Sequence, residues 1–75
     1  MWVKRLSPTK LEIGREGNLF FYSYDTLVSV LTAEDIFRTS QNYSPSTSRH
    51  LNQYLSGYDR VIERTPEELK YLARG

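Results

Sequence analysis

The amino-acid sequence predicts a small α+β domain, and three observations carry that prediction. Residues 2–39 divide into short apolar and aromatic runs separated by turn residues, as an antiparallel β-meander requires. After Ser44 the apolar spacing lengthens to that of a helix. Thr65-Pro66-Glu67-Glu68 then spells a second helix start. The meander is expected to pack against a helix near 46–56 and a C-terminal helix near 66–73. All of it belongs to one domain over residues 1–75, because a chain this short holds a single core.

The strands follow in order. Segments 2–6 and 10–13 flank Ser7-Pro8-Thr9, where proline's fixed φ suits a turn. Arg15-Glu16-Gly17-Asn18 is the next punctuation, with Gly14 and Gly17 able to take positive φ. The aromatic segment 19–24 is separated by Asp25-Thr26 from 27–31, and strands joined so tightly must be antiparallel. A further strand is expected at 36–39, after Ala33-Glu34-Asp35. Alternation places Phe20, Tyr22 and Tyr24 on one side of their strand and Leu19, Phe21 and Ser23 on the other.

In the second half, Thr47, Leu51, Tyr54, Leu55 and Tyr58 recur at helical spacing. Ser44 or Ser46 can cap that helix, Pro45 suits its first turn, and Gly57 suits its end. Residues 60–63 read as a short strand. Thr65 as N-cap, Pro66 behind it and Glu68 three residues on complete a capping box, with Leu69, Leu72 and Ala73 as the inner face.

Composition narrows the chemistry. There is no cysteine, which excludes disulfides and removes the usual ligand of zinc and iron–sulfur sites. With one histidine besides, no metal or other cofactor is expected. A domain this small is commonly reinforced by self-association, so a homo-oligomer is one expected state. The formal charge of +1 excludes a polycation that coats nucleic acid through net charge alone, but not a local basic patch. No apolar run approaches the ~20 residues of a membrane span, and the first residues lack a signal-peptide core. The expected location is the cytoplasm.

Catalysis fails by elimination. His50 is the only imidazole, Ser46 and Ser48 are its neighbours along one helix, and no glycine-rich phosphate loop or carboxylate pair stands out. The chain is therefore expected not to be an enzyme. Its most distinctive stretch is 36–58, which contains no acidic residue but carries Arg38, Arg49 and His50 among serines, amides and aromatics. A helix starting there offers unpaired N–H groups and the positive end of its dipole. Arg38, Tyr43, Ser44, Ser46, Ser48, Arg49 and His50 thus form a candidate anion seat, most simply for nucleic-acid phosphates. The same serines also read as ordinary caps, Arg49 as a solvated charge and His50 as a half-buried packing residue. Phe20, Tyr22 and Tyr24 can stack unpaired bases if their side of the sheet is open, or form core with wet hydroxyls if it is not. Trp2 and Phe37, if exposed, mark a protein-binding surface together with Phe20, Tyr22 and Tyr24; if buried, they are core.

Ser23-Tyr24-Asp25-Thr26 with Val28, Arg38-Thr39, Tyr43-Ser44, Thr47-Ser48-Arg49-His50-Leu51-Asn52 and Tyr54-Leu55 together carry a resemblance. Over roughly residues 20–56 the chain resembles a family of small uncharacterised proteins of bacteriophages and other microbial mobile elements. The family pattern often has proline in place of Leu27 and threonine in place of Ser46. The resemblance implies a phage or mobile-element origin and supplies no activity. The expected function is a binding module that contacts nucleic-acid phosphates through the 36–58 surface. The alternative is a protein-interaction module that inhibits or adapts a host protein, for example a defence enzyme. The expected partner is accordingly nucleic acid or a host protein, not a membrane.

Overall fold

Tight turns dictate the order of the sheet. In the computed structural model, which describes residues 1–74, β1 (Trp2–Ser7), β2 (Lys10–Arg15), β3 (Asn18–Ser23), β4 (Thr26–Leu31) and β5 (Ile36–Thr39) lie side by side in chain order, each antiparallel to the last. The expected meander over 2–39 is therefore present. Its two-residue turns are Glu16-Gly17, with φ of 52° and 82°, and Tyr24-Asp25, with φ of 50° and 65°. Both residues of each turn are left-handed, the form that matches the twist of the flanking strands. At Tyr24 and Asp25 no glycine relieves the strain, which costs ~1–2 kcal/mol per residue.

The chain then crosses over through α1 (Pro45–Tyr54) and returns as β6 (Ile62–Arg64), parallel to β5. The strand expected at 60–63 thus lies slightly later and completes the sheet. Helix α2 (Pro66–Arg74) follows. Ser44 is the N-cap of α1, its Oγ accepting the Thr47 N–H at 3.1 Å, with Pro45 behind it. At α2 the capping box forms in both directions: Glu68 N–H donates to Thr65 Oγ1 at 3.2 Å, and Thr65 N–H donates to the Glu68 carboxylate at 3.0 Å. Those bonds hold the Glu68 carboxyl below its ordinary range. Arg15 caps the other end of α2 by donating to the Ala73 carbonyl, its guanidinium also lying over the Phe20 ring. Gly57 is not the left-handed terminator the sequence suggested; Leu55 ends α1 instead.

The helices cover opposite faces of the sheet. Under α1 lie Phe21, Val28 and Leu31, packed with Leu51 and Leu55. Under α2 lie Phe20, Leu27 and Val30, packed with Leu69. The registers line up Ile13, Phe20, Val30, Phe37 and Ile62 across the sheet on the α2 side. Burial on both faces explains why β3 and β4 are nearly continuous apolar runs rather than alternating ones.

A bulge makes this double-sided arrangement work. Phe21 pairs with Ser29 but Tyr22 with Leu27, so Val28 is the extra residue of β4. Strict alternation would put Leu27, Ser29 and Leu31 on one side. With the bulge, Leu27 and Val30 reach α2 while Val28 and Leu31 reach α1, and the Ser29 hydroxyl donates to the Phe37 carbonyl at 2.7 Å.

At the free edge, β1 lies beyond the reach of both helices, and Trp2 to Leu6 are exposed. Trp2 pairs with Gly14 and lays its indole over it, where a methyl group would fall inside the ring. Gly14 therefore serves by its missing side chain, not by a positive φ.

Candidate functional site

Two turns and one helix start meet at the same end of the sheet. The Tyr24 N–H donates to the Thr9 carbonyl at 2.9 Å, which ties the β3–β4 turn to the β1–β2 turn. Beside them, the first turn of α1 packs on the last residue of β3. Ser23 is 1% exposed and Thr47 is 6% exposed, so their hydroxyls must find partners inside the protein. They find each other at 3.2 Å. Ser44 Oγ donates to Thr47 Oγ1 at 3.2 Å, and Ser23 Oγ lies 3.0 Å from His50 Nδ1. Ser44, Thr47, Ser23 and His50 thus form one hydrogen-bonded chain that gives every member a partner. His50 Nδ1 is engaged by Ser23, which leaves Nε2 as the ring nitrogen outside the hydroxyl chain. The hydroxyl chain thus holds the imidazole in one orientation.

The Tyr24 ring stands 5.7 Å from the His50 ring at an interplanar angle of 29°. Alternation had grouped Tyr24 with Phe20 and Tyr22, and the structure corrects this. β3 ends at Ser23, and the left-handed φ of Tyr24 turns its side chain to the α1 side. Half-exposed, the Tyr24–His50 pair forms an aromatic surface at the turn end.

Cations lie on the strands and helix that meet at this end. Lys10 is the register partner of Ser23. Arg5 lies with Lys10, Tyr24 and Asp25 around a shallow hollow between the two turns. Arg49 is exposed on the outer side of α1, opposite the buried Thr47 and Leu51. Among the described residues the ion pair is Arg64–Glu68 at 3.9 Å, so Arg5, Lys10 and Arg49 have no carboxylate at ion-pair distance. Asp25 is the acidic residue of the two turns.

The expected seat is thereby partly assembled and partly dispersed. Ser44 is a cap. Ser46 and Ser48 are half-buried and make no side-chain hydrogen bonds, and neither bonds to His50. Tyr43 leads into α1 and is 39% exposed. Arg38 does not share a layer with Arg49: it stands on β5 between Ser29 and Glu63 in register, and its Nε is buried without a partner. Phe20, at 3% exposure, is core and is withdrawn as a contact residue. Phe37 is half-buried against α2, with the Arg64 guanidinium over its ring, and Tyr22 is half-buried on the same side. Trp2 remains open, at 47% exposure.

On the α2 side of the same end, Tyr22, Asp25, Leu27, Tyr43, Pro66 and Lys70 bound a cleft of about 600 Å³. Among the described residues no three His, Asp or Glu side chains converge, and no helix is long and apolar enough to cross a membrane. Elsewhere, Tyr54 lies flat on Phe21, with centroids 3.9 Å apart, and donates its hydroxyl to Glu12. Burial and the adjacent carboxylate push the Tyr54 phenol well above its ordinary pKa. This pair anchors the C-terminal end of α1 and takes no part in the turn end.

A family model described as a family of unknown function (DUF8033) matches residues 3–70. The chain belongs to this family. No curated protein and no solved structure matches it. The DUF8033 match spans both turns, the start of α1 and Lys70, so the whole turn end falls within it, whereas Trp2 falls outside. The resemblance read from residues 20–56 to a family of uncharacterised small proteins thus extends over most of the chain.

Sequence reasoning overlooked Ser23, Lys10 and Arg5. A signal for Ser23 existed, because it is the lone hydroxyl on the side of β3 that carries Leu19 and Phe21. Lys10 and Arg5 carried none, since only the pairing of β1, β2 and β3 brings them beside Tyr24.

Proposed function

We propose that the chain is a non-enzymatic binding module that grips a nucleic-acid strand at its turn end, chiefly through the phosphates. The observation that carries this reading is that Arg5 and Lys10 border the hollow beside Tyr24 while Arg49 is exposed on α1 next to His50 in sequence, none of the three paired with a carboxylate among the described residues. Unpaired guanidinium and ammonium groups attract phosphates, and exposed rings accept the face of an unpaired base. Nε2 of His50 and the hydroxyls of Ser46 and Ser48 add hydrogen-bonding groups. Arg38, apart from this end and beside Glu63 in register, takes no part in the reading. A binder fits better than a hydrolase because the serine that touches His50 is buried and has no room for a substrate.

The test is binding of a single-stranded oligonucleotide, followed across salt concentration. Affinity must fall with salt, and must fall less steeply once Lys10 and Arg49 are replaced by alanine. Absence of binding to both DNA and RNA at low salt sinks the reading.

A second reading has its own support. Trp2, Val3 and Leu6 are exposed on β1, whose outer edge is free. An open edge with apolar side chains suits strand addition by a protein partner. In a chain of phage origin that partner is a host protein. Nuclease-resistant recovery of one stoichiometric host protein, lost on Trp2→Ser, supports it over the nucleic-acid reading.

A further inference from the structure

The cleft on the α2 side of the turn end has a lining unlike the basic surface beside it. Tyr22 and Tyr43 contribute rings from β3 and from the segment before α1. Leu27 and Pro66 contribute apolar wall, while Asp25 and Lys70 bring one carboxylate and one ammonium. Asp25 reaches this position through the left-handed turn that no glycine relieves, at φ 65°. Strain held in a turn whose side chain borders a cleft is a pointer to binding.

The lining limits what enters. A lipid tail would leave Asp25 and Lys70 desolvated and unpaired. A simple anion would meet the Asp25 carboxylate and gain nothing from the two phenols. A flat heterocycle with hydrogen-bond donors along one edge and a negative charge attached satisfies the whole set. Its faces rest on the rings and apolar wall, its donors meet Asp25, and its charge meets Lys70. A nucleotide has that chemistry, and the volume of about 600 Å³ leaves room for one base with its sugar and phosphate. Tyr22 and Asp25 also border the hollow beside Arg5 and Lys10, so the cleft is continuous with the basic surface.

We propose that this cleft is a base-binding subsite, in which one unstacked base of the bound strand lies among Tyr22, Tyr43 and Pro66 with its hydrogen-bonding edge toward Asp25. The proposal rests on the nucleic-acid reading above and adds to it a site for the base. The test compares two labelled twelve-nucleotide single strands by fluorescence anisotropy at 50 mM salt, a cytosine homopolymer and a fully abasic strand with the same phosphates. The cytosine strand is expected to bind about tenfold tighter, the contribution of one stacked base. Tyr43→Ala and Asp25→Asn are each expected to bring it down toward the abasic level. Both residues are on the surface, and a thermal melt confirms that the variants fold. If both strands bind equally well, or if both variants keep the tenfold preference, the base subsite is wrong while the phosphate-binding surface stands. If neither strand binds, the nucleic-acid reading itself fails, and the subsite with it.

Discussion

Replacing Lys10 and Arg49 together by alanine is the perturbation most directly tied to the turn end. Four cations border it: Arg5, Lys10, Arg49 and Lys70. If each neutralises one phosphate of a single strand, log K falls against log salt with a slope of about −2.8, at roughly −0.7 per contact. Between 50 and 200 mM salt, affinity then drops by about 50-fold. The double variant keeps two contacts, so its slope is about −1.4 and the same salt step costs about 7-fold. Arg49 is exposed and Lys10 only half-buried, so a fold-preserving loss is expected. Anisotropy of a labelled oligonucleotide, repeated at several salt concentrations, gives both slopes. A double variant with the parent's slope would refute the assignment of these two side chains to phosphates. So would a parent whose binding does not respond to salt.

Other expectations concern the scaffold that holds this end in shape. Ser23→Ala leaves Thr47 and His50 without their shared buried partner, and is expected to cost about 1–3 kcal/mol in denaturant titration; an unchanged midpoint would show the hydroxyl chain to be unimportant. Gly14→Ala drives the indole off β2, and is expected to destabilise by about 1–3 kcal/mol. Because Trp2 is the only tryptophan, its emission should shift to the red in that variant, and an unshifted spectrum would contradict the packing. Tyr54 holds its proton more tightly in the folded state than in the unfolded one. Stability is therefore fully present below the ordinary phenol pKa of roughly 10 and declines as pH rises above it. Tyr54→Phe should remove that share of the alkaline decline in urea titrations, and an identical pH profile would count against it.

Much of the fold was legible because local signals agreed with one another. The Thr65–Glu68 capping box and the Ser44-Pro45 helix start act over three or four residues and formed where expected, while the turn expected at Asp25-Thr26 formed one residue earlier, at Tyr24-Asp25. The misplaced features have a common physical origin. Gly14 was assigned from its intrinsic freedom, but its role follows from Trp2 on the neighbouring strand, and Tyr24 was assigned from alternation, which stops one residue earlier because β3 ends at Ser23. Alternation alone also failed on β4, because the bulge at Val28 resets which side faces which helix.

The candidate site was less legible than the fold. The helix-start cluster from Tyr43 to His50 could be picked out because it is contiguous and free of acidic residues. Its distribution between hydroxyl chain and open surface could not, because Ser23 enters it from a strand more than twenty residues earlier.

By itself, the chain's own order of residues determined the number and kind of its elements, since capping, turn geometry and apolar period are properties of neighbouring residues. Only the tertiary structure decided that α1 and α2 lie on opposite faces, burying Phe20 and Phe21 against different helices. The same packing brought Lys10 and Arg5 beside Tyr24 and Asp25 while leaving Arg38 apart. Charge and exposure at a surface depend on which strands pair and which faces are covered, and those choices are settled by long-range burial.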